Sequence, residues 1–338
     1  MSQEFLGFIG IQQEPTWKSI KTNSMQYVYG MSESVTVDIA RFEYKNVVAT
    51  LTEPDDMTGL RSVKGLMVAP LFGQTAWHLF KGLMMVQSNF TITAVGSTWQ
   101  ATYTSPNGYF NNTIPRPSHT LEIYRDVTSS FQYSGVVFSQ ADIQIDINQP
   151  ALMALTVIAG DIDIMDKTAP VYTDNAKPLA FDTCSIGISG IGINALESFT
   201  LSIDNQIDEY NALNASVKIA GIKTMGVQTA KFSGSMDFEN LTEYEKFVNQ
   251  TTYNMNVSLT QSAGTLEQII FTFPKIVYTN FTPSISDKGP IVVEMEGKMN
   301  RHTGSATTLQ IDIITQYDHG YFVVGHPVYG IIGDRIIF

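Results

Sequence analysis

Strict alternation of polar and apolar residues recurs from one end of the chain to the other, and it restricts the fold more than any other feature. The clearest case is ADIQIDI at 141–147, where Ile143, Ile145 and Ile147 share one face and Asp142, Gln144 and Asp146 the other. A strand with one buried and one solvated side reads this way. Residues 120–125, 254–260 and 309–314 alternate similarly, while 131–139 and 269–281 are longer, more apolar and rich in β-branched and aromatic residues, as core strands are. Pro115, Pro117, Pro150, Pro170, Pro178 and Pro283 fall between these segments, where a missing amide donor is tolerated. Helical signals are few. In 240–249, Asn240 with Glu243 makes a capping-box pattern ahead of a stripe of Leu241, Tyr244, Phe247 and Val248. A weaker counterpart spans 75–82, with Gly82 expected to end it. The chain is therefore mainly β, with two helices expected.

SESVTVDI at 32–39 and LESFTLSI at 196–203 place a Glu-Ser pair ahead of the same alternation. After each comes a long polar loop (49–62; 205–230), then a short strand and one helix (63–82; 230–249), then alternating strands (120–147; 254–281), and an apolar strand ending at Gly160 or Gly297. This order fits a tandem duplication, although two unrelated β-rich segments can also give it. The boundaries expected are a first domain at 1–165 with an insertion at about 86–118, a linker at 166–178, a second domain at 179–300, and a C-terminal strand and extension at 301–338.

The net charge is −12, with 9 basic against 14 acidic residues in 1–165 and 11 against 18 in 166–338. Two acidic halves argue against a protein that grips nucleic-acid phosphates, but they suit a surface that DNA must slide past. Cys184 is the only cysteine, so no intrachain disulfide forms, as expected of a chain folded in a reducing cytoplasm. Neither a secretory signal nor a membrane-spanning apolar run is visible. No nucleophile elbow, P-loop, GxGxxG or HExxH occurs. The five histidines lack partners at ligand spacing, and Cys184 sits among small apolar residues, as an inert thiol would. A catalytic pair assembled only by the fold stays open at this level.

The opening GFIGIQQEPTW (7–17) resembles the start of the major tail tube proteins of long non-contractile-tailed, siphovirus-like bacteriophages. PSHTLEIYRD (117–126) with FQYSG (131–135), and LESFTLSIDN (196–205) with FSGSM (232–236) and the helix at 241–248, are similar to that family's later motifs, in order. The loop 205–230 lacks a landmark residue, and 320–338 has no counterpart in the family. The resemblance implies two tandem tube-type domains, each a β-sandwich or half-barrel flanked by one α-helix. It also implies stacked rings forming a hollow tube in the virion tail, made and assembled in the host cytoplasm, with no catalysis, no cofactor and no metal.

In such a tube the lumen strands should be polar without being basic. Asp142, Gln144 and Asp146 meet that requirement, as do Asn254, Asn256 and Ser258, though an ordinary solvated face looks the same. Loops 49–62 and 205–230 would reach the next ring, with Glu53, Asp55, Asp56 and Arg61 in one and Lys218 and Lys223 in the other offering complementary charge. If each chain supplies two domains, three chains close a pseudo-six-fold ring; a hexamer of chains is the alternative. The partners expected are other copies of the chain, a tape-measure protein, tail terminator and distal tail proteins, and passing double-stranded DNA, with no membrane. A tail-tip or baseplate hub, an adhesin-like binding module and a β-rich hydrolase are the competing readings.

Overall fold

β-Branched and aromatic residues at period two build strands along nearly the whole chain, and two short helices interrupt them. In the first half these are β1 (Phe8–Gln13), β2 (Gln26–Val28), β3 (Ser32–Glu33), β4 (Thr36–Phe42), β5 (Met57–Pro70), α1 (Gly73–Leu83), β6 (Phe90–Val95), β7 (Thr98–Thr104), β8 (His119–Tyr124), β9 (Ser130–Asp146), β10 (Leu152–Ala159) and β11 (Asp161–Met165). In the second half they are β12 (Cys184–Ile188), β13 (Ile191–Gly192), β14 (Leu196–Asp204), β15 (Ile207–Tyr210), β16 (Gly221–Thr224), β17 (Thr229–Asp237), α2 (Thr242–Val248), β18 (Tyr253–Gln261), β19 (Glu267–Ser284), β20 (Val292–Met299) and β21 (Gln310–Thr315). This computed structural model describes residues 7–22, 25–42, 56–84, 90–95, 98–105, 117–172, 177–188, 191–192, 196–213, 216–238, 241–261, 267–284, 291–304 and 307–315.

The strands form a β-sandwich-type fold in which every ladder between named strands is antiparallel. One layer runs β4–β5–β10–β9–β14–β17–β20–β19, so the two halves share a sheet through the β9·β14 ladder. Behind it, β2–β1–β8 pairs with the N-terminal part of β9, and β13–β12–β18 with the N-terminal part of β19. β9 and β19 are long enough to serve both layers. Each carries an irregularity near its middle, opposite Thr156/Val157 and between Tyr278 and Asn280, where a bulge can bend a strand from one layer into the other. A single core lies between the layers and draws on both halves, from Ile11, Phe80 and Phe138 to Phe232, Phe271 and Met295. Each such side chain taken out of water stabilises by about 1.5–3 kcal/mol.

Both halves pair their strands in the same order. The path β4·β5·β10·β9·β8·β1 of the first is matched by β14·β17·β20·β19·β18·β12 of the second. β11 lies beside β9 as β21 lies beside β19. The registers agree as well: Thr36 faces Lys64, the residue before Gly65, and Thr200 faces Ser233, the residue before Gly234. At both glycines a Cβ would strike the backbone that follows the Glu-Ser pair, 2.4 Å from Val35 Cα at Gly65 and 2.6 Å from the Ser198 carbonyl oxygen at Gly234.

Several expectations change. Residues 131–139 and 141–147 are one strand, β9. β8 is buried on both faces: Leu121 and Ile123 enter the core, while on the other face Thr120 donates to Glu14 and Glu122 accepts from Thr168. Gly82 lies inside α1 and does not end it; its missing side chain lets the helix approach Phe138, whose ring a Cβ would meet at 2.7 Å. The expected cap of α2, Asn240, lies outside the described residues, while Glu243 accepts hydrogen bonds from Tyr278 Oη (2.8 Å) and Lys246 Nζ (2.5 Å). Tyr244 and Phe247 of its stripe pack on Phe281, whereas Leu241 and Val248 are exposed. Pro283 sits within β19. Gly297 lies inside β20, where it makes room for the Phe232 ring. Loop 49–62 is already strand from Met57, and loop 205–230 contains the β15–β16 hairpin. β6 and β7, in the expected insertion, join the second half through the β7·β21 ladder.

Candidate functional site: a polar sheet face and two open strand edges

On the shared layer, alternation turns one set of side chains into the core and the other outward. Ile143, Ile145, Phe199, Leu201, Ile203, Phe232 and Met295 are buried. Outward, in register across four strands, lie Asp142, Gln144 and Asp146 of β9; Ser198, Thr200, Ser202 and Asp204 of β14; Lys231, Ser233 and Ser235 of β17; and Glu294, Glu296 and Lys298 of β20. Neighbours along this row hydrogen-bond: Ser202 Oγ donates to Asp142 Oδ1 at 2.5 Å, and the Ser198 and Ser235 hydroxyls are 2.9 Å apart. Five carboxylates (Asp142, Asp146, Asp204, Glu294, Glu296) face two lysines (Lys231, Lys298), so the face is polar and acidic.

The layer ends in two unequal edges. Among the described residues β4 pairs only with β5, and its residues from Asp38 to Phe42 are exposed, including Ile39 at 46% and Phe42 at 50%. Its start is tied down, because Arg125 makes a bidentate pair with Glu33 (2.6 and 2.8 Å) and, with Tyr133 Oη, donates to the Val35 carbonyl. At the other end, β19 from Tyr278 to Ser284 pairs with β20 on one side and with no described strand on the other. The corresponding stretch of β9 is covered on that side by β14, over seven paired residues.

A side structure closes one end of the face. The β15–β16 hairpin lays Ile207 and Ile222 over Val137 and Ile158. Around it, Glu209 accepts from Ser62 Oγ, and Lys64 Nζ lies 3.1 Å from Asp208 Oδ1. Asp161 takes ion pairs from both Arg61 and Lys218, and the Arg61 amide donates to the Val217 carbonyl at 2.7 Å. Burial opposes the charge of Asp161, yet the bonds from Lys218 and the Ile162 amide, with the two cations, hold its carboxyl below the ordinary value.

The residues singled out from sequence thus separate. Arg61 and Lys218 meet within one chain at Asp161, and Lys223 Nζ stands 4.1 Å over the Tyr210 ring. Asp56 is exposed, and Glu53 and Asp55 lie outside the described residues. Asp142, Gln144 and Asp146 are on the shared layer, but Asn254, Asn256 and Ser258 are on β18, behind it. The rows on β14, β17 and β20 were missed, although SFTLSID and VEMEGKM alternate as plainly as ADIQIDI. Cys184 is half-buried, and burial pushes its thiol up to about 11. Among the described residues no group of His, Cys, Asp and Glu could hold a metal ion, and no helix is long and apolar enough to cross a membrane.

Comparison with protein families gives one match: the model described as phage tail tube protein covers residues 34–299. That span begins at the Ser of the first Glu-Ser pair and ends with the last residue of β20, taking in the shared layer and both helices. No curated protein matches the chain.

Proposed function

The chain belongs to the phage tail tube protein family, and on that premise we propose that it is the tail tube subunit of a siphovirus-like phage. It is a structural protein whose copies close head to tail into rings, stacked into a conduit through which DNA passes. The observation that carries this is the pair of open edges. The chain already joins one half to the next through β9·β14, and the counterparts of those strands, β19 and β4, are the two strands left open. Pairing β19 of one copy with β4 of the next repeats the internal junction and leaves neither end of this layer exposed. The matched pairing order and registers support reading the chain as a tandem duplication. Carrying the register of Ile203 with Ala141 and Ser202 with Asp142 across the new junction sets Ile39 opposite Pro283 and Asp38 opposite Ser284.

Ring size follows from strand count. Each chain gives eight strands to the shared layer, so three chains give twenty-four. At about 4.8 Å per strand and a tilt between zero and about 40°, a barrel of twenty-four strands is about 37–48 Å across. Side chains of about 5 Å on each wall leave a bore of about 27–38 Å, wide enough for a DNA duplex. Six chains would double the strand count, and the barrel with it. We therefore favour three chains per ring.

The acidic row of Asp142, Gln144, Asp146 and their neighbours faces the lumen, where it repels phosphates and lets DNA slide. Asp56 and Lys223, with Glu53 and Asp55, face the adjoining ring, while Arg61 and Lys218 brace the hairpin at the rim. Tape-measure, terminator and distal tail proteins are the partners of such a tube in the virion tail. Cysteines at Asp38 and Ser284, in a Cys184→Ser background, test the junction. Oxidation of assembled protein should give covalent dimers and then a closed trimer; only monomers, or a ladder passing through trimer to hexamer, would contradict it.

A further inference from the structure

β11 and its counterpart β21 differ in what lies along the outer edge. In the second half, β21 lies beside β19, and its outer edge is covered by β7 in a six-residue antiparallel ladder, Gln310–Thr315 against Trp99–Thr104. In the first half, β11 lies beside β9, and no described strand covers its outer edge. That side is open and mostly polar, with two exposed apolar side chains. Ile164 is 70% exposed and Met165 46%, and both border a cleft with Thr22, Ser129, Gln132, Asp166 and Thr168.

The covering strand β7 comes from the first half, in the insertion between α1 and β8, and reaches the half that follows it. The second half has no such insertion: α2 ends at Val248 and β18 begins at Tyr253. It therefore has nothing to send from that position to the first half of the next subunit. What it does carry is a further 23 residues after Thr315, containing YFVV at 321–324 and RIIF at 335–338, both rich in aromatic and β-branched residues. At up to about 3.3 Å per residue, that length reaches well beyond a neighbouring domain.

We infer that residues 321–338 of one subunit add a strand to the open edge of β11 in the next subunit around the ring, occupying the place that β7 takes on β21. Strand addition satisfies the ladder of β11 and covers Ile164 and Met165, as peptide addition to open sheet edges does elsewhere. The inference rests on the head-to-tail ring, so its test is separated from the test of that ring.

A photo-crosslinking amino acid at Ile164, an exposed site, is irradiated in the full chain at the concentration at which the unmodified chain assembles. Equal amounts of isotopically light and heavy chains are mixed before assembly, and adducts are mapped by mass spectrometry. Mixed-isotope adducts between position 164 and residues 321–338 are expected, with at least a tenfold loss when the chain is stopped after Gly320. Adducts confined to one chain, adducts to any other segment, or no adduct at all would overturn the inference. Electron microscopy of the unmodified chain and of the chain stopped after Gly320 reads ring formation independently: rings from both, without the 164 adduct, sink the C-terminal strand alone.

Discussion

Gly297 and Phe232 show how one residue sets the spacing of the shared layer. A Cβ on Gly297 would stand 2.1 Å from the Phe232 ring, which is itself stacked on Phe199 and edge-on to Tyr278. Gly297→Ala should destabilise the fold by about 1–3 kcal/mol, as overpacking does. Adding Phe232→Leu should recover part of the loss, a coupling that urea unfolding of the double-mutant cycle measures. Two buried bases between α1 and β8 make stability depend on pH. Burial lowers Lys81 to about 8, and burial together with Lys81 lowers His119 to about 3. For each, the folded value lies below the unfolded one, so the stabilisation is present above the unfolded value and lost as pH falls through the folded one. Unfolding free energy should therefore rise from pH 8 towards 10, a rise that Lys81→Met flattens. It should also fall between pH 6.5 and 3, less steeply in His119→Gln. What was legible at this scale was the setting of Cys184, a half-buried thiol that burial pushes up to about 11. Asp161, which gathers Arg61 and Lys218 from distant segments, was not legible, because nothing near it in sequence signals its partners.

Among the elements, β4 carries the clearest test of the edge reading. Ile39 and Phe42 are half exposed on a strand with one open edge, a combination that soluble proteins usually guard against. Ile39→Lys should leave monomer stability within about 0.5 kcal/mol, as surface changes do, while abolishing ring formation seen by sedimentation. Loss of folding in that variant, or rings unchanged, would contradict the proposed junction. Most strands were legible from alternation, and the Glu-Ser pairs marked matching positions because each precedes a strand opposite a glycine that the backbone crowds. The expected helix cap, Asn240, lies outside the described residues, and what alternation could not signal is the hydrogen bond from Tyr278 to Glu243. Reading β9 as two strands also paired residues of different layers in the expected lumen rows, Asp142, Gln144 and Asp146 on β9 with Asn254, Asn256 and Ser258 on β18. Its alternating end was matched to β18, whereas pairing matches it to the end of β19, where TNFTPS hides the period.

For the whole molecule, the mainly β class could be read locally, since alternation marks each strand by itself. The joins between halves could not. β9·β14 unites strands more than fifty residues apart and β7·β21 strands more than two hundred apart, and alternation says only that a strand has a polar face, not which edge it meets. Those joins give the ring its expected stoichiometry, because they define a junction that the open edges of β4 and β19 can repeat. The number of chains per ring, counted in a top-view electron cryomicroscopy average of the assembled tube, tests this most directly. Three chains, with six nearly equivalent domains around a wall of twenty-four strands, is the expected result. Six chains around the ring, or a wall in which β4 and β19 do not meet, would contradict it.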